Sequence, residues 1–368
     1  MQSSYREEDV ILLLKDITGL VEPQSTQERE RLIQSGKHYC EMLPIEYVPS
    51  GTYMQVYQEA LKNYALPTAQ AVCRLGDLAV SQRGRNLVLV SLARAGIPIG
   101  ILLKRYLSKK YKIKAAHYSI SIIRGRGIDK NAMNFLLSRY EPERLLFVDG
   151  WIGKGAILNE LKKELAAYPG VSPEIAVAAD PAGVTELCGT HEDILIPSSC
   201  LNSTVSGLVS RTVLRGDIIG PKDFHGAVYY GDLKEQDLSY AFIQAIEEKF
   251  VIEPWEGRHR RDCEKQVKEK SKLDSELFPT GETGLDEVKR LAGEYGIADI
   301  NLIKPGIGET TRVLLRRVPW KILAAPGWKN DPSVAHILRL AEEKGVPVEE
   351  HPLNHYKVCG MIKKLADA

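Results

Sequence analysis

Short apolar runs alternate with longer amphipathic stretches through the middle of the chain. The runs NLVLVSL, LLFVDG and EIAVAAD are almost continuously apolar, and the segments AGIPIGILLKRYL and GKGAILNELKKEL that follow the first two have the spacing of helices. Apolar strands that alternate with helices of about 10–15 residues are typical of a sheet that is buried on both faces. The pattern therefore predicts an α/β fold with a mostly parallel sheet flanked by helices.

A charged segment interrupts this pattern near the C-terminal end. Residues 254–280 (PWEGRHRRDCEKQVKEKSKLDSELFPT) carry many charges of both signs and few large apolar side chains, which is typical of a solvated linker. We therefore predict a larger domain at residues 1–253 and a smaller one at residues 281–368. Helices and strands alternate again from LDEVKRLAGEYG to KVCGMIKKL, so the smaller domain is expected to be an α/β/α sandwich.

Composition leaves this fold prediction unchanged but narrows the function. The chain has 368 residues, of which 44% are hydrophobic and 26% charged, and its formal net charge is +1. Binding of nucleic acid would therefore have to depend on a local basic patch. The six cysteines form no CxxC pair, and no stretch reaches the roughly 18 apolar residues that a membrane span needs. We expect a cytoplasmic protein with reduced thiols, no prosthetic group, no metal site of its own and no membrane contact.

The segment LLFVDGWIGKGAI (145–157) carries the clearest candidate for ligand chemistry. An apolar strand brings Asp149 to its carboxyl end, and the glycines at 150, 153 and 155 allow a tight turn that exposes backbone N–H groups. The helix that follows directs its positive end to the same position, and Lys154 adds a positive charge. The predicted phosphate- and ribose-binding residues are Asp149, Gly150, Gly153, Lys154, Gly155, Ala156 and Ile157.

This segment resembles the phosphoribosyl-diphosphate signature of type I phosphoribosyltransferases. The resemblance implies a type I phosphoribosyltransferase-like sheet, in which Asp149 holds the ribose hydroxyls and the backbone of residues 153–157 holds the 5′-phosphate. It also implies phosphoribosyl diphosphate or a nucleotide as the ligand, with Mg²⁺ bound beside the diphosphate. The chain departs from the family pattern at Gly150, which occupies the second acidic position, and at Ile157, where the family usually has Ser or Thr.

Two segments upstream of this turn fit the same resemblance. VLVSLARAGIPIG ends a strand with a tight loop, which the family pattern assigns to pyrophosphate, and SIIRGRGIDKNAM lies where the family closes a mobile lid over its substrate. A solvated basic hairpin is the alternative to a lid. The predicted pyrophosphate-loop residues are Arg94, Ala95 and Gly96, the predicted lid residues are Arg124, Arg126 and Lys130, and the predicted catalytic residues are Asp149, Lys154 and Arg94.

The segment after residue 188 supports a different chemistry. PSSCLNSTVSG places several small hydroxyl residues and Cys200 in one loop after a predicted strand. Together with the WIGKG turn, it resembles a bacterial family encoded in tellurium-resistance stress operons, and the resemblance covers about residues 35–250. Members of that family have been described both as phosphoribosyltransferase-like proteins and as cysteine proteases. For a protease, Cys200 is the predicted nucleophile and His225 or His191 the predicted base.

The C-terminal domain carries a motif of its own. INLIKPGIGETTRVLLRR, followed by WKILAAPG, resembles the pelota-like family, which includes ribosomal proteins that bind RNA kink-turns. The family string G-x-N-E-x-x-K corresponds to GIGETTR here, so Gly308 replaces the usual Asn and Arg312 replaces Lys. A helix start offers N–H groups to a phosphate, and Glu309 and Arg312 share one helical face. The predicted RNA-binding residues are Gly306, Gly308, Glu309, Thr310, Arg312 and Arg316.

Three functions remain open from the sequence. The first is a diverged phosphoribosyltransferase-like enzyme, coupled to an RNA-binding domain, in a bacterial stress response. The second is a cysteine protease, and the third is a non-catalytic module that senses a nucleotide and is tethered to RNA. The expected partners are phosphoribosyl diphosphate or a nucleotide, and RNA through the C-terminal domain. The oligomeric state stays open, with a homodimer among the alternatives.

Overall fold

The computed structural model describes residues 1–252 and 282–362. The predicted linker at residues 254–280 lies outside the described residues. Within the two described ranges, no helix is long and apolar enough to cross a membrane. The N-terminal domain (residues 1–252) is built around a parallel sheet, and the C-terminal domain (residues 282–362) packs against it.

The N-terminal domain alternates strands and helices in the order that the apolar runs predict. Its strands are β1 (Ile11–Leu12), β2 (Lys15–Asp16), β3 (Pro23–Gln24), β4 (Leu43–Pro44), β5 (Val88–Leu92), β6 (Ala116–Ile120), β7 (Ile122–Ile123), β8 (Gly127–Ile128), β9 (Leu145–Trp151), β10 (Ile175–Ala179), β11 (Cys188–Thr190) and β12 (Gly226–Ala227). Its helices are α1 (Thr26–Gln34), α2 (Gly51–Arg83), α3 (Gly96–Tyr111), α4 (Lys130–Leu137), α5 (Ala156–Leu165) and α6 (Ser239–Glu247).

The central sheet consists of parallel strands in the order β1-β6-β5-β9-β10-β11. Successive side chains of a strand point to opposite faces. Leu89 therefore packs with residues of α2 and α3, whereas Val88 and Val90 pack with residues of α4 and α5 on the other face. Helices cover both faces, which confirms the predicted mostly parallel α/β sheet. Its likeness to the sheet of type I phosphoribosyltransferases stays a prediction.

The C-terminal domain has three layers. Its elements are α7 (Gly284–Glu294), β13 (Ile303–Pro305), α8 (Gly306–Arg316), β14 (Lys321–Ala324), α9 (Ala335–Glu343), β15 (Val348–Glu350) and β16 (Val358–Met361). The strand order is β13-β16-β14-β15, with β14 and β15 parallel and β16 antiparallel to both of its neighbours. Apolar residues of α7 pack on one face of this sheet and those of α8 and α9 on the other, as expected for an α/β/α sandwich.

The two domains share a hydrophobic core. Ile307, Leu314 and Leu315 of α8 belong to the same buried cluster as Val72 and Leu75 of α2. Apolar packing of this kind is the main favourable contribution to association. The C-terminal domain is therefore fixed on the N-terminal domain by packing and does not depend on the linker alone.

A buried carboxylate joins the domains beside this core. Asp193, which follows β11, is 6% exposed and accepts hydrogen bonds from two backbone N–H groups of the C-terminal domain. The N–H of Ile307, at the start of α8, donates to it at 2.9 Å, and the N–H of Lys357 donates at 3.0 Å. Because the carboxylate also faces the positive end of α8, its contact fixes where this helix begins.

We expect Asp193→Ala to lower the free energy of unfolding by about 1–3 kcal/mol, because the N–H groups of Ile307 and Lys357 would be buried without an acceptor. Urea denaturation followed by circular dichroism measures the change. Glu192→Ala is the matched control, since the neighbouring Glu192 is exposed and should change the free energy by less than about 0.5 kcal/mol. Equal stability of the two variants would show that Asp193 does not hold the domains together.

Candidate ligand-binding cleft

A cavity of about 830 Å³ lies between the two domains, beside the carboxyl ends of β5 and β9. Ligands of open α/β sheets bind at this edge of the sheet. The cavity, called the cleft below, is lined by strand ends, by the loop after residue 200 and by the start of the C-terminal domain. Its polar lining residues include Arg29, Glu46, Arg94, Asp149, Asn202, Thr204, Arg211, Lys304, Glu309, Arg312, Arg316 and Arg317.

The cleft is strongly basic. Seven arginine and lysine side chains line it, against three acidic side chains. The Arg316 side chain is accessible from the cavity. Desolvation by the surrounding protein, followed by the charges of Arg312 and Arg94, lowers its pKa to about 9. Burial, followed by the charge of Arg29, lowers the pKa of Arg211 to about 10. Cationic groups that lower one another's pKa in this way favour an anion between them.

Three of these arginines have no carboxylate partner. Within residues 1–252 and 282–362, no carboxylate forms a salt bridge with Arg94, Arg211 or Arg316. Arg94 instead donates from Nη1 to Val209 O at 2.9 Å and from Nη2 to Asn202 Oδ1 at 3.1 Å, and Arg316 donates to the same Asn202 oxygen. The buried Nε of Arg211 has no hydrogen-bond partner among the described residues. These guanidinium groups therefore keep the capacity to bind an anion.

Asp149 lines the cleft near the carboxyl end of β9, where the sequence pattern placed it. Its Oδ1 accepts a hydrogen bond from the N–H of Gly150 at 2.8 Å. Burial raises the pKa of this carboxyl group to about 7, although the Gly150 N–H and the charge of Arg312 favour the ionised form. A carboxyl group with a pKa near neutrality, at a strand end in a cavity, is a typical candidate for ligand contact.

The glycine turn (residues 150–155) joins β9 to α5. Gly155 has φ of 81° and directly precedes α5, a conformation that side chains with a Cβ rarely adopt. An added Cβ there would lie 3.7 Å from a methyl group of Val184, so the requirement for glycine comes from the backbone conformation. The N–H groups in the first turn of α5 have no acceptor within the helix. Ile157, in this turn, lines the cleft.

Lys154 does not add its charge to this phosphate site, so that prediction is wrong. Its Nζ donates hydrogen bonds to Ile300 O at 2.9 Å and to Ile303 O at 2.8 Å, both in the C-terminal domain. Burial lowers its pKa to about 8. Tyr356 Oη donates to Gly153 O at 2.7 Å beside it. Lys154 thus fixes the glycine turn to the C-terminal domain, and nothing in its contacts supports a catalytic role.

The loop after β5 is closely packed against the glycine turn. Arg94 and Ala95 line the cleft, whereas Gly96 has a packing role. An added Cβ at Gly96 would lie 2.4 Å from Val148 O, so the absence of a side chain lets α3 approach β9. An added Cβ at Gly150 would lie 3.2 Å from Ala95 O. The second acidic position of the phosphoribosyltransferase pattern is therefore occupied by the residue that allows these two loops to meet.

The predicted lid residues lie outside the cleft. Arg124 and Arg126 are at the tip of the β7–β8 hairpin, and Lys130 begins α4. Arg124 Nη1 donates to Asn301 Oδ1 at 2.6 Å, and Arg126 forms a salt bridge with Glu41 at 3.2 Å. The hairpin is joined to neighbouring segments and does not cover the cleft in this structure, which corresponds to the basic hairpin considered as the alternative.

Cys200 is not placed for the predicted protease chemistry. Its side chain is buried, and burial raises the pKa of the thiol to about 12. Among the residues described, no histidine nitrogen lies within hydrogen-bond distance of its sulfur. His225 Nδ1 lies 2.8 Å from Ser121 Oγ, and His191 contacts Cys188 instead. The prediction of Cys200 as nucleophile with His225 or His191 as base is therefore wrong for this geometry.

A different cysteine lies beside a histidine and an aspartate. Cys188 is in β11, His191 follows this strand, and Asp180 follows the neighbouring β10. His191 Nε2 is 3.3 Å from Cys188 Sγ, and its Nδ1 is 2.8 Å from Asp180 O and 3.8 Å from Asp180 Oδ2. Because Nδ1 donates to the carbonyl, Nε2 of the neutral ring can accept the thiol proton. The string CGTH (188–191), eight residues after the aspartate that follows the apolar run EIAVAA, was the sequence signal for this group.

The helix start that the sequence assigns to RNA faces the N-terminal domain. The N–H of Ile307 donates to Asp193, so this carboxylate holds the position at the start of α8 that an RNA phosphate was expected to take. An added Cβ at Gly308 would already contact Ser199 and Trp151, at 3.7 and 3.8 Å. These are ordinary van der Waals distances, and the longer Asn of the family pattern would place its amide beside the N-terminal domain.

The other predicted RNA-binding residues are either buried or directed to the cavity. Glu309, Arg312 and Arg316 line the cleft, whereas Gly306 and Thr310 are buried. The Arg312 guanidinium lies 5.7 Å from the Trp151 ring and 3.9 Å from Glu309 Oε1. The polar face of α8 is therefore part of the cleft in the described arrangement of the two domains.

Comparisons with known proteins agree with two of the resemblances. Residues 3–247 match the family described as "Tellurite-like stress resistance cysteine protease StiP", and residues 282–364 match the PELOTA RNA-binding domain. The cysteine protease StiP of Acinetobacter baylyi is 34% identical over 375 aligned positions, which cover 98% of this chain and 94% of that protein. None of these three matches names a phosphoribosyltransferase. The protein belongs to the StiP family and carries a PELOTA RNA-binding domain at its C-terminal end.

Proposed function

We propose that the cleft binds a ligand with phosphate groups on a ribose, of the phosphoribosyl diphosphate or nucleotide class. The observation that supports this most strongly is that Arg94, Arg211 and Arg316 line one cavity without a carboxylate partner among the described residues. Guanidinium groups stay charged and bind phosphate oxygens in a bidentate geometry. The repulsion among these groups is a free-energy cost that a multiply charged anion offsets.

Two further features fit a ribose phosphate. The first turn of α5 offers N–H groups and a positive helix end to one phosphate, and Ile157 of this turn lies at the cleft. Asp149 offers a carboxylate to the ribose hydroxyls, and Arg94 on the adjacent loop offers a guanidinium to a second phosphate. In this proposal the 5′-phosphate lies at the start of α5, the ribose at the end of β9 and the diphosphate at the loop after β5.

Mg²⁺ belongs to this proposal only together with a diphosphate. Among residues 1–252 and 282–362, no three His, Cys, Asp or Glu side chains are grouped so that they could hold a metal ion. Mg²⁺ is commonly held by substrate phosphates, water and one or two carboxylates. Asp149 is the carboxylate that we propose as its protein ligand. A transfer reaction would rely on Arg94 and Arg211 to stabilise the leaving diphosphate. The family description makes a stress response the proposed setting.

Arg94→Ala should weaken binding of phosphoribosyl diphosphate by about tenfold or more, because a charge-assisted contact to phosphate is lost. Isothermal titration calorimetry in the presence of Mg²⁺ measures the affinity. Arg139→Ala serves as the control, since Arg139 is exposed and its guanidinium lies 3.7 Å from the Phe135 ring, outside the cleft. Absence of binding by the wild-type protein, to this ligand and to nucleoside monophosphates, would refute the proposed function.

Asp149→Asn should weaken ligand binding and also stabilise the unliganded protein at pH 8. Burial raises the pKa of Asp149 to about 7, so the native state retains a proton that the unfolded state releases near pH 4. The wild-type protein therefore loses stability as the pH rises from about 4 through about 7, and the variant lacks this contribution. Thermal unfolding at pH 6 and pH 8, with and without phosphoribosyl diphosphate, measures both effects. Wild-type affinity in the variant would exclude Asp149 from the site.

We also propose that the C-terminal domain binds RNA, as the name of its domain family implies. Glu309, Arg312 and Arg316 are the candidate contacts, because they form one polar face of α8. The same face lines the cleft, so RNA can reach it only through the cleft or after the domains separate.

The names of the family and of its relative point to a second candidate function, hydrolysis of peptides by a cysteine. The contact of Cys188 with His191, beside Asp180, is the observation that favours it. Cys188 Sγ would attack the peptide carbonyl carbon and form a thioester, while His191 Nε2 takes the thiol proton and passes it to the leaving amine. The Cys188 thiol is fully buried, whereas the cleft is open, so ligand binding in the cleft is the first candidate.

If the protein cleaves peptides, Cys188→Ser should abolish cleavage of casein, and Cys200→Ser should leave the rate unchanged, because no described histidine contacts Cys200. Cys40→Ser tests a second cysteine–histidine contact of the described residues, in which Cys40 Sγ lies 2.9 Å from His38 Nδ1. Release of casein fragments over time is the measurement, with circular dichroism to confirm the fold of each variant. Full activity of a folded Cys188→Ser variant would exclude Cys188 as the nucleophile.

A further inference from the structure

The C-terminal domain adds cationic side chains to the cleft. Arg312 and Arg316 are four residues apart on α8, hence on one helical face, and both line the cavity. Arg316 donates a hydrogen bond to Asn202 Oδ1, and Arg94 donates to the same oxygen from the N-terminal domain. A single neutral amide oxygen therefore lies between guanidinium groups that belong to different domains.

Contacts other than those of these arginines also dock the domains. Ile307 and Lys357 are held by Asp193, and Tyr53 Oη donates to Leu315 O at 2.6 Å. These contacts and the shared apolar core bring the arginines together although their charges repel. A phosphate between them would receive hydrogen bonds from both domains and would replace repulsion by attraction.

We propose that Arg312 and Arg316 bind phosphate groups of the ligand in the cleft, so that the ligand site is complete only when the two domains are docked. The inference rests on the proposed function of the cleft and extends it to the second domain. Six arginines line the cavity, among them Arg94 and Arg211 from the N-terminal domain and Arg312 and Arg316 from the C-terminal domain. That number fits a compact ligand with at least two phosphate groups, such as a diphosphate.

The size of the cavity favours a small ligand over RNA in the docked arrangement. A volume of about 830 Å³ is within the range of pockets for small molecules and cofactors. The polar face of α8 is directed to the N-terminal domain, and the Gly308 backbone is close to Ser199 and Trp151. A folded RNA element is larger than this cavity and would not fit between α8 and the N-terminal domain. The same arginines can therefore bind the small ligand when the domains are docked and RNA when α8 is uncovered.

The test uses the full-length protein and two probes, inorganic pyrophosphate and phosphoribosyl diphosphate, each with Mg²⁺ in isothermal titration calorimetry. Arg312→Ala and Arg316→Ala should each weaken binding by about tenfold. Arg316→Lys should weaken binding less than Arg316→Ala, because lysine keeps the charge but not the bidentate geometry. Lys289→Ala is the control: Lys289 is an exposed residue of α7, on the opposite face of the C-terminal sheet, and should leave both affinities unchanged. Thermal unfolding confirms that each variant is folded.

The outcomes separate this inference from the proposed function. If the wild-type protein binds neither probe, both are refuted. If Arg94→Ala weakens binding but Arg312→Ala and Arg316→Ala do not, the proposed function stands and the inference is overturned. Saturating phosphoribosyl diphosphate should also reduce RNA binding in a gel-shift series at fixed salt. RNA binding that is indifferent to the ligand and is lost in Arg312→Ala, with calorimetry unchanged, would assign these arginines to RNA alone and would also overturn the inference.

Discussion

The hydrogen bonds of Asp193 to the start of α8 determine the arrangement of the whole cleft. Removing a carboxylate from water is costly, and here the N–H groups of Ile307 and Lys357 and the positive end of the helix offset part of that cost. Burial still raises the pKa of Asp193 to about 6. Because the helix begins against this carboxylate, the backbone at Gly306 and Gly308 must come close to the N-terminal domain. The arginines one and two turns further along α8 then lie over the carboxyl ends of the strands.

Close packing of loops also determines which chemistry the cleft offers. Gly150 is next to Ala95 O, so the strand end that in phosphoribosyltransferases carries two acids carries one here. The cleft is instead rich in guanidinium groups, and Asn202 Oδ1 accepts hydrogen bonds from two of them. A cleft with three acidic side chains against seven basic ones has the charge that the proposed phosphate ligand needs, and it offers few protein ligands to a metal ion.

The sequence predicted those parts of the fold and of the site that depend on local pattern. Apolar runs located β5, β9 and β10, and the position of Asp149 and Arg94 after such runs was enough to place both in the cleft. Lys154 was misjudged because its acceptors, the carbonyls of Ile300 and Ile303, belong to another domain, and local spacing carries no information about them. The docking of α8 joins residues 114 positions apart, which lies beyond any periodicity.

The surroundings of the cysteines could not be predicted from local sequence either. The loop around Cys200 is rich in hydroxyl residues and was expected to follow the end of a strand. The 3₁₀ turns Pro197–Cys200 and Ser203–Val205 are instead packed into the core that the domains share. Cys188 was overlooked because a single cysteine in a sequence usually serves as a small buried apolar residue. Only the parallel pairing of β10 with β11 brings Asp180 and His191 to the same edge.

The Asn202 oxygen that lies between Arg94 and Arg316 makes the distance between the two domains part of the proposed ligand site. Coupled equilibria are reciprocal, so a ligand that binds the docked form more tightly must favour docking by the same factor. An occupied cleft then keeps the polar face of α8 covered, and an empty one leaves it easier to uncover. If the proposed ligand binds in this way, the concentration of a small phosphorylated molecule would set the fraction of copies in which the polar face of α8 is accessible.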